Sequence, residues 1–206
     1  MKIFGIICEY NPFHNGHARQ LEFCRSNGAD LIFCAMSGDF TQRGEPAVLE
    51  KRIRAKHAVQ SGADLVAELP LPYAAAGAKD FAEGGVKLLE KMGCTHICFG
   101  SECGNISLLE KAAELIDSDS FNNSLKLHIK AGKSYPVSAE LAGEEYGGVL
   151  NAPNNILAVE YLRALKSVGS AMQPITLTRN TDYCSESLDS KACLLYTSPS
   201  PRDPKT

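Results

Sequence analysis

Lys2-Ile3-Phe4-Gly5-Ile6-Ile7-Cys8-Glu9-Tyr10-Asn11-Pro12-Phe13-His14-Asn15-Gly16-His17 changes character halfway along, and that change decides the fold. Lys2–Cys8 is a near-continuous apolar run of strand length, the pattern of a strand buried on both faces of a parallel sheet. Gly16–Asn27 reads as a helix that ends at Asn27-Gly28. The polar stretch between them is then a strand-to-helix turn, and in an α/β sheet such turns lie at the carboxyl edge where ligands bind. A lysine followed by apolar residues also suggests a signal peptide. Glu9 interrupts the run at once and no small-residue cleavage site follows, which favours a strand.

The same alternation recurs outward from this segment. Asp30–Met36, Asp64–Leu69 and Thr95–Phe99 read as three more strands, the third strand being stopped by Pro70 and Pro72. Leu49–Gln60 reads as a helix with Arg52, Arg54 and Lys56 on its polar positions and Gly62 near its C-terminal end. Asp80–Met92 is a helix followed by Gly93, and Ser107–Ile116 is another, with Ser107 as N-cap and Glu110 three residues later. Four strand–helix units in tandem predict an α/β domain, a doubly wound parallel sheet with right-handed crossovers. Asn155–Val168 adds a helix and Ile175–Thr178 a fifth strand, so the domain is expected to span residues 1–180. Phe121–Gly148 is polar and helical in character, an insertion at about residues 119–150. Residues 181–206 read as an incomplete or non-native disordered tail: Leu194–Thr206 is rich in Ser, Thr and Pro and has no periodicity. The natural sequence is expected to continue differently from near Cys193.

The 206 residues are 44% hydrophobic and 22% charged, ordinary for a soluble globular domain. No apolar run approaches the ~20 residues of a membrane-spanning helix, and a cytoplasmic location is expected. Of the eight cysteines, Cys8, Cys34 and Cys98 lie in or beside apolar strand runs and Cys24 in a helix, so they read as reduced, buried thiols rather than a disulfide framework. Cys94, Cys98 and Cys103 lack the paired CxxC spacing of a zinc site, and no metal site is read from them.

Two histidines three residues apart are by themselves a common surface pair. Here the turn sits between a buried strand and a helix. Gly16 lets phosphate approach the main chain, and the helix N-terminus offers free N–H groups and a positive dipole end. His14 and His17 can donate hydrogen bonds to charge developing on an α-phosphate, which requires neither a carboxylate pair nor a nucleophile. The loop after the second strand, Ser37–Ala47, lies on the same edge. Gly38 and Gly44 make it pliable, and Asp39, Gln42, Arg43 and Glu45 give it polar reach. Arg43 fits an acetate or phosphate; Asp39 or Glu45 fits a metal-bound or amine group; a plain solvated loop is the simpler reading of the same residues.

His14-Asn15-Gly16-His17 after the first strand resembles the HxGH signature of the nucleotidyltransferase superfamily, which includes pantetheine-phosphate and nicotinate-nucleotide adenylyltransferases. The resemblance implies a Rossmann-like nucleotidyltransferase fold, ATP as substrate together with Mg2+, and release of pyrophosphate. Five motifs in order narrow it: residues 9–17, Ser37–Ala47, Ala63–Pro70, Phe99-Gly100-Ser101-Glu102 and Pro153-Asn154-Asn155-Ile156-Leu157. Together they resemble the tRNA(Met) cytidine acetate ligase family over about residues 1–180. That family forms acetyl-adenylate from ATP and acetate, then acetylates N4 of the wobble cytidine of elongator tRNA(Met). The resemblance implies His14 and His17 as catalytic residues. It implies ATP contacts from Ile7, Cys8, Glu9, Tyr10, Asn11, Pro12, Phe13, His14, Asn15, Gly16, His17, Ala18, Arg19 and Gln20, with Gly100 against the nucleotide. Asn154 or Asn155 and Arg179 would complete the contacts; Arg179, planar and permanently charged, suits phosphate.

Two features depart from the pattern. A Ser/Thr-rich second phosphate motif, Ser-Ala-Thr-x-Ile-Arg in the family, is not found, although Ser185, Ser187 and Ser190 occur near its place. The net charge is −3, from 21 Lys+Arg against 24 Asp+Glu, with no basic run of the kind that binds RNA phosphates. A small-molecule adenylyltransferase of cofactor biosynthesis shares HxGH and the fold, and a non-catalytic RNA-binding module is the other alternative. Neither oligomeric state nor tRNA specificity is marked in the sequence.

Overall fold

Alternate residues of β1 (Ile3–Cys8) bury on opposite sides of one sheet: Ile3 and Ile7 join one core, Phe4 and Ile6 the other. This is why the run is apolar throughout. The computed structural model describes residues 1–143 and 146–179; the expected tail from residue 181 onward lies outside the described residues. Within them β2 (Leu31–Ser37), β3 (Leu65–Leu69), β4 (His96–Ser101) and β5 (Gln173–Thr178) join β1 in a parallel sheet of order β3-β2-β1-β4-β5. Ile3 pairs with Leu31 on one side of β1, and Phe4 with His96 on the other. The expected doubly wound α/β sheet of five strands is borne out.

Helices α1 (Asn15–Ser26) and α2 (Lys51–Gln60) cover one face through Leu21, Cys24 and Ala58. On the other face α4 (Ala78–Lys91), α5 (Ile106–Ile116) and α9 (Pro153–Val168) pack Phe81, Val86, Leu89, Leu109, Ala112, Val159 and Leu162 against Ile7, Ile97 and Phe99. The chain thus changes faces between β1 and β4, and the crevice between their carboxyl ends is the switch point where such sheets bind ligands. Contact between α4 and β1 is so close that a Cβ on Gly85 would stand 2.5 Å from Ile7 Cδ1.

Some elements differ from expectation. Pro70 and Pro72 end β3 and also begin a short helix, α3 (Leu71–Ala74), in which Pro72 occupies an early position that needs no amide donor. The N-cap of α5 is Asn105, whose Oδ1 accepts from Leu108 N–H at 3.1 Å; Ser107 lies inside the helix. The insertion resolves into α6 (Asp119–Lys130), capped by Ser118, α7 (Tyr135–Ala142) and α8 (Gly147–Leu150). Among the described residues no helix is long and apolar enough to cross a membrane.

Candidate active site

The turn after β1 is built around its own side chains. Tyr10 adopts φ 48° and is buried, with Phe13 edge-on at 4.9 Å and the His17 ring at 4.7 Å. His14 is the N-cap of α1: its Nδ1 accepts from Gly16 N–H at 3.1 Å, while His17 Nδ1 accepts from His14 N–H at 3.3 Å. This reciprocal arrangement is a capping box in which two imidazoles replace the usual hydroxyl and carboxylate. The rings stack with centroids 3.6 Å apart.

The network also assigns their chemistry. A ring nitrogen that accepts carries no proton, so each neutral imidazole holds its proton on Nε2. Burial, then the Arg179 charge, holds His14 down from 6.5 to about 4. Burial, then His14 and Arg179, holds His17 well below its ordinary value. Near neutral pH the pair is therefore uncharged, with two Nε2–H donors.

The opposite wall comes from β4, α9 and the end of β5. Arg179 N–H donates to Ser101 O at 2.9 Å, and its Nη1 donates to Asn154 Oδ1 at 3.1 Å. Its side chain crosses Gly100 so closely that a Cβ there would stand 2.7 Å from Arg179 Cδ. Gln20 Nε2 donates to Cys98 O at 3.0 Å and ties α1 to β4 across the crevice. The open cleft measures about 370 Å³, and its apolar lining comes from Ile7, Phe81, Phe99, Leu157 and Tyr161. Its polar lining includes Glu9, Asn11, His14, His17, Gln42, Asn154 and Arg179. A groove of about 670 Å³ lies between the C-terminal ends of α5 and α9, remote from the histidines, and its Arg163 is engaged with Asp117 at 2.6 Å.

Of residues 7–20, Cys8, Tyr10 and Pro12 also line the cleft. Phe13, Asn15, Gly16, Ala18 and Arg19 do not line it; Phe13 supports Tyr10, and Asn15 and Gly16 begin the helix. The loop after β2 is less pliable than its glycines suggest. Phe40 and Pro46 form an antiparallel bridge, Thr41 N–H donates to Glu45 O and Ala47 N–H to Asp39 O. Gln42 reaches the cleft, its N–H donating to Glu9 Oε1 at 2.6 Å. Asp39 and Arg43 stand outside it: Asp39 pairs with Lys51 at 3.3 Å, and Arg43 is exposed. Asn155 is also outside, nearly fully buried, with Oδ1 accepting from Glu102 N–H and Cys103 N–H.

Residues 1–196 match the family model for the HIGH Nucleotidyl Transferase. The chain belongs to this family. Its resemblance to tRNA(Met) cytidine acetate ligases is borne out by relatives bearing that name. The Acetivibrio thermocellus protein is 44% identical over 91% of this chain and 48% of its own length; the Syntrophotalea carbinolica protein is 45% identical over 87% and 45%. The crystal structure of Thermotoga maritima TmcAL bound with alpha-thio ATP superposes with TM-score 0.80 at 37% identity, covering 87% of this chain and 47% of that one. The chain spans about half the length of the curated relatives it matches.

Two residues of this nucleotidyltransferase domain shape the site in roles that the sequence did not mark. Arg54, expected on a polar helix position, is fully buried. Its guanidinium donates to the carbonyls of Glu9, Ser37, Gly38 and Leu49, joining the loops after β1 and β2 to the start of α2. Glu102 caps α9, accepting from Asn154 N–H and Asn155 N–H. Cys24, Cys34, Cys94 and Cys98 are buried free thiols, and among the described residues no group of three His, Cys, Asp or Glu is arranged to hold a metal.

Proposed function

We propose that this chain carries the ATP-using site of a tRNA(Met) cytidine acetate ligase. A carboxylate oxygen of acetate attacks the α-phosphorus of ATP, the bond to the departing pyrophosphate breaks, and acetyl-adenylate forms. N4 of the wobble cytidine of elongator tRNA(Met) then attacks the acetyl carbon, loses a proton, and AMP leaves. The relatives' names support the overall reaction, and the ATP analogue in the Thermotoga maritima structure supports ATP in the cleft. A tRNA-modifying enzyme of this kind works in the cytoplasm.

The observation that carries the proposal is the uncharged histidine pair facing Arg179 across a cleft at the β1/β4 switch point. Nε2–H of His14 and His17 donates to non-bridging oxygens of the α-phosphate, and the donors gain strength as charge accumulates there in the transition state. Arg179 holds a phosphate through its planar fork. Gly100 leaves room for the nucleotide and for Arg179. The triphosphate lies between the carboxyl ends of β1 and β4, with His14 and His17 on one wall of the cleft and Arg179 on the other.

Mg2+ binds through one or two carboxylates and otherwise through phosphate and water oxygens. Glu9 is the carboxylate lining the cleft, already oriented by Gln42 N–H, so the residues fit an ion that arrives with the nucleotide. Such an ion would neutralise charge on the phosphates. The test is ATP–pyrophosphate exchange with acetate, phosphopantetheine or nicotinate mononucleotide as co-substrate. Exchange dependent on acetate is expected; dependence on either of the others would assign the site to cofactor biosynthesis.

A further inference from the structure

We infer that Glu102 is a positioning residue for Arg179, acting through Asn154, and so for the phosphates of the nucleotide; the inference rests on the ATP reading above. Glu102 follows β4 and does not itself line the cleft. Its Oε1 accepts from Asn154 N–H at 3.1 Å and from Asn154 Nδ2 at 2.6 Å, and its Oε2 accepts from Asn155 N–H at 2.8 Å. Three donors converge on one side chain, which calls for acceptor capacity on both oxygens and therefore for a carboxylate.

The consequence falls on the Asn154 amide. With Nδ2 turned to Glu102, Oδ1 is the atom presented to Arg179, and Arg179 Nη1 donates to it at 3.1 Å. Reversing the amide would set two donors against each other at Arg179. Glu102 is held in turn: Asn155 Oδ1 accepts from Glu102 N–H at 2.9 Å and Cys103 N–H at 3.2 Å. Arg179 N–H donates to Ser101 O next to Glu102. The ends of β4 and β5 and the start of α9 therefore share one hydrogen-bonded junction that points the guanidinium across Gly100. The N-cap residue of α9, Ala152, makes no side-chain cap, and Glu102 takes that part. The positive end of α9 thus serves Glu102, while Arg179 brings positive charge to the cleft.

Calorimetric titration of the full chain with ATP and, separately, with adenosine tests this. Glu102→Gln exchanges an acceptor oxygen for a donor against the same amides, so ATP affinity should fall about tenfold, as for one charge-assisted hydrogen bond, while adenosine affinity holds. Should Glu102→Gln fail to fold, Asn154→Ala, which leaves the carboxylate on the helix, should give the same selective loss. Equal losses of ATP and adenosine, or no loss of ATP, would overturn the inference. If the unsubstituted chain binds no ATP, the ATP reading fails instead. The positioning is then read from the Arg179 Nε–Hε resonance of the ligand-free protein. It should be sharp and protected in the unsubstituted chain and averaged in Glu102→Gln; indistinguishable spectra would sink the idea.

Discussion

His14 and His17 each accept, through Nδ1, a main-chain N–H of the turn that the other belongs to, and their rings lie 3.6 Å apart. One pair of side chains thus starts helix α1 and aims two Nε2 donors at the cleft. Structure and proposed chemistry can be separated by their magnitudes. His17→Ala should slow acetate-dependent ATP–pyrophosphate exchange by ~100-fold or more, the scale for one preorganised donor. ATP affinity should change much less, since a donor used in the transition state adds little to ground-state binding. Stability should fall by about 1 kcal/mol through the lost cap. An unchanged exchange rate with lowered stability would make His17 a capping residue alone.

Acid should weaken the fold through the same pair. The folded state holds His14 at about 4, against an ordinary 6.5, and His17 is also depressed. Above 6.5 both folded and unfolded chains are neutral at these positions, so the contribution is fully present. Between 6.5 and about 4 the unfolded chain takes up protons that the folded one does not, and stability is lost as pH falls. The midpoint temperature should therefore drop from about pH 7 to about pH 5. His14→Asn keeps an acceptor for Gly16 N–H without titrating, and should flatten that dependence; an equally steep profile in the variant would assign the acid sensitivity to other groups.

Arg54 makes a sharper stability test. A fully buried guanidinium donates to carbonyls from three segments. Arg54→Leu strands those carbonyls and should cost about 3 kcal/mol or more, measured by urea denaturation. Because Glu9 O is among the acceptors, ATP binding should weaken as well. A loss below about 1 kcal/mol would mean that water replaces the guanidinium.

Arg54 also marks where the sequence stops being legible. The strand runs, the helix between each pair and the turn at residues 8–17 can be read because burial on two faces leaves continuous apolar stretches and turns need Pro and Gly. Arg54 sits among Lys51, Arg52 and Lys56, so helical spacing alone sets it with the exposed cations; its burial follows from carbonyls contributed by loops distant in sequence. Glu102 and Asn155 are similar. Their partners are main-chain amides more than fifty positions away, which no local pattern encodes. Asn105 escapes notice for a simpler reason: Ser107 with Glu110 imitates a capping box two residues too late. In the site, the family resemblance offers Asn154 or Asn155 together with Arg179, and of these Asn154 and Arg179 line the cleft; Asp39 and Arg43 carry suitable charges but stand outside it, while Gln42 of the same hairpin reaches in.

Gly100→Ala separates access from stability. Its new Cβ would meet Arg179 Cδ and Cγ, at 2.7 and 3.1 Å, and these atoms belong to a long side chain that can move aside. The fold should therefore tolerate the change, with a midpoint temperature within a few degrees of the parent. Arg179 would no longer lie across β4 with Nη1 on Asn154 Oδ1, so the phosphates lose an oriented partner and ATP affinity should fall about tenfold, as for one hydrogen bond to a charged group. Adenosine contains no phosphate for Arg179 to hold. If adenosine and ATP weaken together, Gly100 acts by leaving room for the nucleoside; if neither weakens, Arg179 does not hold the phosphates from its place beside Gly100.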